Sequence, residues 1–172
     1  MTLSNQELLA LDGQALEALL VQISGRLLAR GWMLATAESC TGGLIAAACT
    51  ELPGSSTWFE RGFVTYSNAA KTELLGVPAP LITAHGAVSE PVARAMAEGA
   101  VAHSAAQASI AVTGVAGPTG GSADKPVGTV WFGWCVDGTT HSERQCFARL
   151  NRPGVRQATL AHALSRLAVL LG

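Results

Sequence analysis

The sequence predicts an α/β fold, a three-layer α/β/α arrangement over residues 1–172 as a single domain, built on a mixed sheet. Three observations predict it. Apolar stretches with helical spacing alternate with short strand-like runs, the order that layered α/β domains show. An Asp137-Gly138 pair separates two strand-like runs, so one hairpin interrupts an otherwise crossover-connected sheet. No repeat or low-complexity linker divides the 172 residues, a length that suits one core rather than two.

Each element follows from a local signal. Ser4 and Glu7 have capping-box spacing, predicting a short first helix that Gly13 ends. Leu16, Leu19, Leu20, Ile23 and Leu27 recur at helical spacing, predicting an amphipathic helix that stops near Gly31. Trp32 to Thr36 reads as a strand, and the alanine-rich Gly42 to Thr50 as a buried helix. Gly62 to Ser67 reads as a strand, and Asn68 to Leu75 as a short, well-capped helix. Ser89 followed by Pro91 gives the cap and first-turn proline of a helix running to about Ser104. Ser109 to Thr113 is a short buried strand leading into a glycine-rich loop. Thr129 to Val136 and His141 to Phe147 form the hairpin arms. Pro153 opens a last helix with Leu160, Leu164, Leu167 and Leu171 on one face.

Composition narrows the function classes. The chain is 49% hydrophobic and only 13% charged, a thin polar skin that predicts a subunit interface and hence a homo-oligomer. Four tryptophans, Trp32, Trp58, Trp131 and Trp134, point the same way. A net charge of −1 without a basic stripe speaks against a nucleic-acid partner. The first residues lack a signal-peptide pattern, and no apolar run of about 18 residues offers a membrane span, so a cytoplasmic, membrane-free protein is expected. Cys40, Cys49, Cys135 and Cys146 stand singly without a CxxC pair, so neither a disulfide frame nor a metal site is expected.

Three polar, glycine-rich stretches interrupt the apolar elements. Ala37 to Gly43 lies at a strand-to-helix turn, where free helix N–H groups favour an anion. Position alone reads Ser39 or Thr41 as a helix cap before it reads either as a nucleophile. The second stretch, Tyr66 to Lys71, holds the only tyrosine and one of two lysines, against nine arginines. Lysine, unlike arginine, becomes a usable base when burial lowers its pKa, although a solvated helix surface explains most lysines. The third, Thr113 to Gly121 followed by Lys125 to Thr129, reads equally as a wide turn or a phosphate cradle, and it matches neither the P-loop nor GxGxxG. His85 reads as a loop or capping residue.

Taken together, TAESCTGG, PGSSTWFERGFVTYSNAAK, HGAVSEPVA and TGVAGPTGGSADKPVGTVWFGW resemble, in order, the motifs of the CinA C-terminal family. The likeness runs from about Thr36 to Trp134 and resumes from Arg152 to Ala161. It is greatest to the single-domain PncC-type members, which are nicotinamide-mononucleotide deamidases. The resemblance implies a three-layer α/β/α fold and hydrolysis of the mononucleotide's carboxamide to nicotinate mononucleotide and ammonia, in pyridine nucleotide (NAD) recycling, without metal or organic cofactor. It places the catalytic serine at Ser39 and the catalytic lysine at Lys71. This chain has Ala69 where the family's YSNEAK carries an acid. No room for the N-terminal domain of the family's longer members is expected before Trp32. The alternative reading is an inactive or regulatory CinA-like module linked to competence, and retention of Ser39 with Lys71 favours the enzyme.

The implied chemistry is acyl transfer, with Ser39 as nucleophile, Lys71 as base and His85 next in line as base. Oxyanion donors are expected among the backbone N–H groups of Cys40 to Gly42. Substrate contacts are expected from Thr41, Gly42 and Tyr66, and from Gly114, Gly117, Gly120 and Gly121, whose loop would take the phosphate with Lys125 or Arg61.

Overall fold

Side-chain size alternates along the central strands, and that alternation sets the layers. In β3 (Ala108–Gly114) and β4 (Thr129–Val136), Ile110, Val112, Val130, Phe132 and Trp134 face one side, and Ser109, Ala111, Gly133 and Cys135 the other. The large-residue face receives α1 (Gly13–Arg30), α2 (Leu44–Glu51) and α6 (Arg152–Leu170). On the small-residue face, α5 (Glu90–Ala102) packs with α3 (Asn68–Leu75) and α4 (Ala79–His85). Small residues let α5 lie close: a Cβ on Gly133 would sit 2.4 Å from the Ala93 carbonyl oxygen. Ser109 Oγ uses the proximity to donate to the Ala97 carbonyl at 2.7 Å. Across the sheet, the buried Trp134 indole N–H donates to the Ala163 carbonyl at 3.0 Å.

The chain is described here from a computed structural model covering residues 11–172, so the helix expected from Ser4 lies outside the described residues. The sheet order is β2-β1-β3-β4-β5, with β1 (Leu34–Glu38) parallel to both β2 (Phe59–Val64) and β3, and with β4 and β5 (Thr139–Cys146) antiparallel. The mixed sheet and its hairpin are those the sequence predicts. Asp137 and Gly138 both take positive φ, 50° and 75°, as a tight hairpin turn requires.

Several element bounds differ from expectation by a few residues, and three of the departures have a physical reason. β1 ends at Glu38 rather than Thr36, because a strand end buries this carboxylate among donors. β2 starts at Phe59 rather than Gly62, since an edge strand tolerates the charges of Glu60 and Arg61 that read as loop. Ala79–His85 is a helix of two turns where no helix is expected, its Pro80 falling in the tolerant first turn. Of the four tryptophans, Trp58 and Trp134 are core residues, and Trp32 and Trp131 are half-buried. Among the described residues, no helix is long and apolar enough to cross a membrane.

Candidate active site

The three parallel strands end side by side, and each delivers one polar stretch. Ser39 follows β1, Thr65 and Tyr66 follow β2, and Gly114 closes β3. The carboxyl edge of such strands is where open α/β sheets form ligand crevices. Here the crevice is a cleft of about 250 Å³, lined by Ser39, Cys40, Tyr66, Asn68, Lys71, Ala87, Val88, Thr113, Gly114, Ala116 and Arg152.

Lys71 reaches Ser39 because Ser67 starts α3 at the right place. The Ser67 hydroxyl accepts the Ala70 N–H at 3.0 Å, fixing the helix start and setting Lys71 on its inward face. Lys71 Nζ donates to Ser39 Oγ at 3.1 Å and to the Thr65 carbonyl at 2.9 Å. The lysine is 1% exposed and has no carboxylate at ion-pair distance among the described residues. Burial therefore holds its pKa below the ordinary lysine value, with the neighbouring Cys40 sulfur pulling weakly the other way. Burial pushes the Cys40 thiol up to about 12, aided by the Glu38 charge. A thiol so far from ionising is a poor nucleophile.

Glu38 carries the turn that presents Ser39. Its carboxylate is fully buried and accepts from Thr41 Oγ1 at 2.6 Å and from the N–H groups of Gly43, Ile45 and Ala46 at 3.1, 3.0 and 2.8 Å. The anion that the start of α2 attracts is thus the protein's own. From the other side, Arg156 on α6 donates to the Thr41 carbonyl at 2.9 Å. Glu38→Gln turns one acceptor oxygen into a donor amid these N–H groups. It should cost about 2–3 kcal/mol of stability, read as a lower midpoint in urea unfolding; an unchanged midpoint would remove this account of the turn.

This arrangement corrects the expected oxyanion donors. The Gly42 N–H is spent on the Ser39 carbonyl at 3.0 Å, and the helix-start amides are spent on Glu38. Among the described residues, the Cys40 and Thr41 N–H groups carry no acceptor, so they remain as candidates. Thr41 turns its hydroxyl inward to Glu38, away from a substrate-binding role for that group, and Gly42 supplies a positive φ of 59°.

The expected substrate residues divide. Tyr66 and Gly114 line the cleft with Ser39 and Lys71. Gly117 and Gly121 are not among the residues lining it, and an added Cβ on them would come within 2.4 and 2.8 Å of Val127 atoms. Gly120 turns the loop with φ 89°. The two expected cations do not reach the cleft. Lys125 Nζ is tied to the His85 carbonyl at 2.9 Å, and Arg61 pairs with Glu60 at 2.6 Å and donates to the His103 carbonyl. The edge-strand charges of Arg61 and Glu60 satisfy each other. His85 also lies outside the cleft lining.

Sequence reasoning missed Glu38, Thr65, Arg152 and Arg156. Glu38 carried one available signal, an acid closing an apolar strand. Arg152 and Arg156 carried another, the i, i+4 spacing of two cations at the start of the last helix.

Residues 16–171 match the family described as the CinA C-terminal domain. The chain is 54% identical over 134 residues to the "Nicotinamide-nucleotide amidohydrolase PncC" of Enterobacter agglomerans, covering 77% of this chain and 82% of that protein. It is also 54% identical to a "Putative competence-damage inducible protein" of Symbiobacterium thermophilum, covering 87% of this chain but spanning only 37% of the relative's length. Among solved structures, the competence/damage inducible protein CihA from Agrobacterium tumefaciens superposes with a TM-score of 0.86 at 45% identity, over 91% of this chain and 94% of that one. The match extends over nearly all of the described residues, and the chain belongs to the CinA C-terminal domain family.

Proposed function

We propose that the chain hydrolyses the carboxamide of nicotinamide mononucleotide to nicotinate mononucleotide and ammonia, returning pyridine nucleotide to NAD synthesis. The observation that carries the reading is the contact of Lys71 Nζ with Ser39 Oγ at 3.1 Å in a cleft at the strand ends. The names of relatives that the chain covers over four fifths or more of their length support the substrate.

In this mechanism neutral Lys71 takes the Ser39 hydroxyl proton as Oγ attacks the carboxamide carbon. The Cys40 and Thr41 N–H groups stabilise the tetrahedral oxyanion. Collapse expels ammonia, which receives its proton from the Lys71 ammonium and leaves Ser39 as an acyl ester. Lys71 then takes a proton from water as it attacks the ester, and returns that proton to Ser39 Oγ as the acid leaves, restoring neutral lysine and free serine. Burial of Lys71 without a carboxylate partner supports the base role, since the amine must be neutral to begin. Ammonia release from nicotinamide mononucleotide by the purified, folded chain is the test; no release above the uncatalysed rate would overturn the reading.

The proposal includes a cytoplasmic enzyme, which four unpaired cysteines support. It also includes a homo-oligomer, supported by Val21 and Leu28 on α1 and Val169 on α6, all about half exposed. Light scattering at micromolar concentration should give a mass above that of one chain; a single-chain mass would remove the oligomer.

A further inference from the structure

Ala69 is where the YSNAAK stretch carries no acid, and helical spacing turns it away from the Ser39–Lys71 contact. Two residues before Lys71, it points to the opposite face of α3, and Glu73, two residues after, shares that face. There α3 meets α4 across a second cavity, a groove of about 340 Å³. Ala69, Ala79 and Ile82 give the groove an apolar surface, and Thr72, Glu73 and Thr83 add polar groups. Asn68, at the start of α3, lines both this groove and the Ser39 cleft, so the two spaces share a wall. A glutamate at position 69 would bring a longer, charged side chain into the groove; alanine leaves it open.

The lining says what fits. It holds no lysine or arginine, and Glu73 has no cation at ion-pair distance among the described residues, so a phosphate group is unsuited to it. An apolar surface with hydroxyls and one unneutralised carboxylate suits a nucleoside. A flat base lies on the small apolar side chains, and ribose hydroxyls donate to the carboxylate, as they do to acidic residues in dinucleotide sites.

We propose that the groove takes the adenine nucleoside of a pyridine dinucleotide whose nicotinamide mononucleotide half occupies the Ser39 cleft, so that NAD competes with the mononucleotide. This rests on the amidohydrolase reading and adds its regulation: an enzyme that feeds NAD synthesis is held back by NAD. The pyrophosphate crosses the shared wall at Asn68, outside the cation-free groove.

The experiment measures nicotinate mononucleotide formed from the mononucleotide, by chromatography, at increasing NAD. It compares the native chain with Ala69→Glu, which fills the groove, and Glu73→Gln, which removes its anion. NAD should raise KM and leave kcat unchanged in the native chain. Each variant should weaken that inhibition about tenfold or more, while kcat and KM without NAD stay within about twofold of native. No inhibition of the native chain by millimolar NAD, or equal inhibition of all three, would overturn the proposal. Both positions are exposed on α3, and Thr83→Trp, which blocks the groove from α4, serves if either variant fails to fold. Adenosine monophosphate supplies the nucleoside without the nicotinamide half and should inhibit about tenfold more weakly than NAD or worse. Equal potency would overturn the bridging dinucleotide and leave a site for free adenine nucleotides. Should the native chain form no acid at all, the activity reading fails and the groove is read separately. Calorimetry should then show NAD binding to the native chain that Ala69→Glu weakens about tenfold or more, and equal binding would overturn the groove assignment.

Discussion

Ser39→Ala is expected to lower kcat on nicotinamide mononucleotide by about 10⁴-fold or more, the scale on which serine hydrolases lose activity with their nucleophile. The variant removes one oxygen from a site whose backbone is held independently, by Glu38 below and Arg156 behind. The fold and nucleotide binding should therefore survive, and calorimetry with the mononucleotide should give a Kd within a few-fold of native. Cys40 is the neighbouring rival nucleophile, but a buried thiol raised to about 12 is almost wholly protonated at neutral pH. Cys40→Ala should accordingly retain most of the rate. Substantial activity in Ser39→Ala together with loss in Cys40→Ala would transfer the nucleophile's role.

Lys71→Arg and Lys71→Met are each expected to lower kcat by about 10³-fold or more, since general-base catalysis contributes on that order. Arginine keeps the positive charge and the donors but cannot act as a base, so the two variants should fail alike. In the native enzyme the rate should rise with pH through the lowered Lys71 pKa, at lower pH than an ordinary lysine would allow. An active Lys71→Arg enzyme with the native pH profile would show that Lys71 only binds.

Stability carries the same signature. With the folded pKa below the unfolded one, the unfolded chain binds more protons between the two values. Burial of Lys71 thus costs stability in full below the folded pKa, and the cost disappears as pH rises toward the unfolded value. The native chain should gain on Lys71→Met as pH is raised, read from unfolding midpoints at several pH values; a pH-independent difference would contradict the depressed lysine.

The parts of the fold legible in the sequence are those set by local chemistry. Asp137-Gly138 dictates a tight hairpin, and Ser89 with Pro91 marks a helix start that the structure places at Glu90. Ser67 caps α3 over the residues expected, Asn68–Leu75. What the sequence concealed depends on burial or on long-range contact. A lone Glu38 reads as the end of a strand, and only the folded turn supplies its four donors. Arg61 looks like a free cation beside a recognisable stretch until β2 puts it at the sheet edge against Glu60. Arg152 is 86 residues from the Tyr66 hydroxyl it touches, a separation no local pattern reports. The proximity of Ser39 and Lys71 was implied only by resemblance; their contact arises because β1 and β2 are parallel neighbours, so their carboxyl ends coincide.

An acyl group carried by Ser39 is the expected intermediate, and mass spectrometry of the enzyme acid-quenched during turnover of nicotinamide mononucleotide tests for it directly. The chain should gain the mass of the nicotinate mononucleotide acyl group, with fragmentation assigning the added mass to Ser39. Ammonia should also appear no later than the free acid. An adduct on Cys40, or steady turnover in which the chain never gains mass, would contradict a mechanism in which Lys71 activates Ser39.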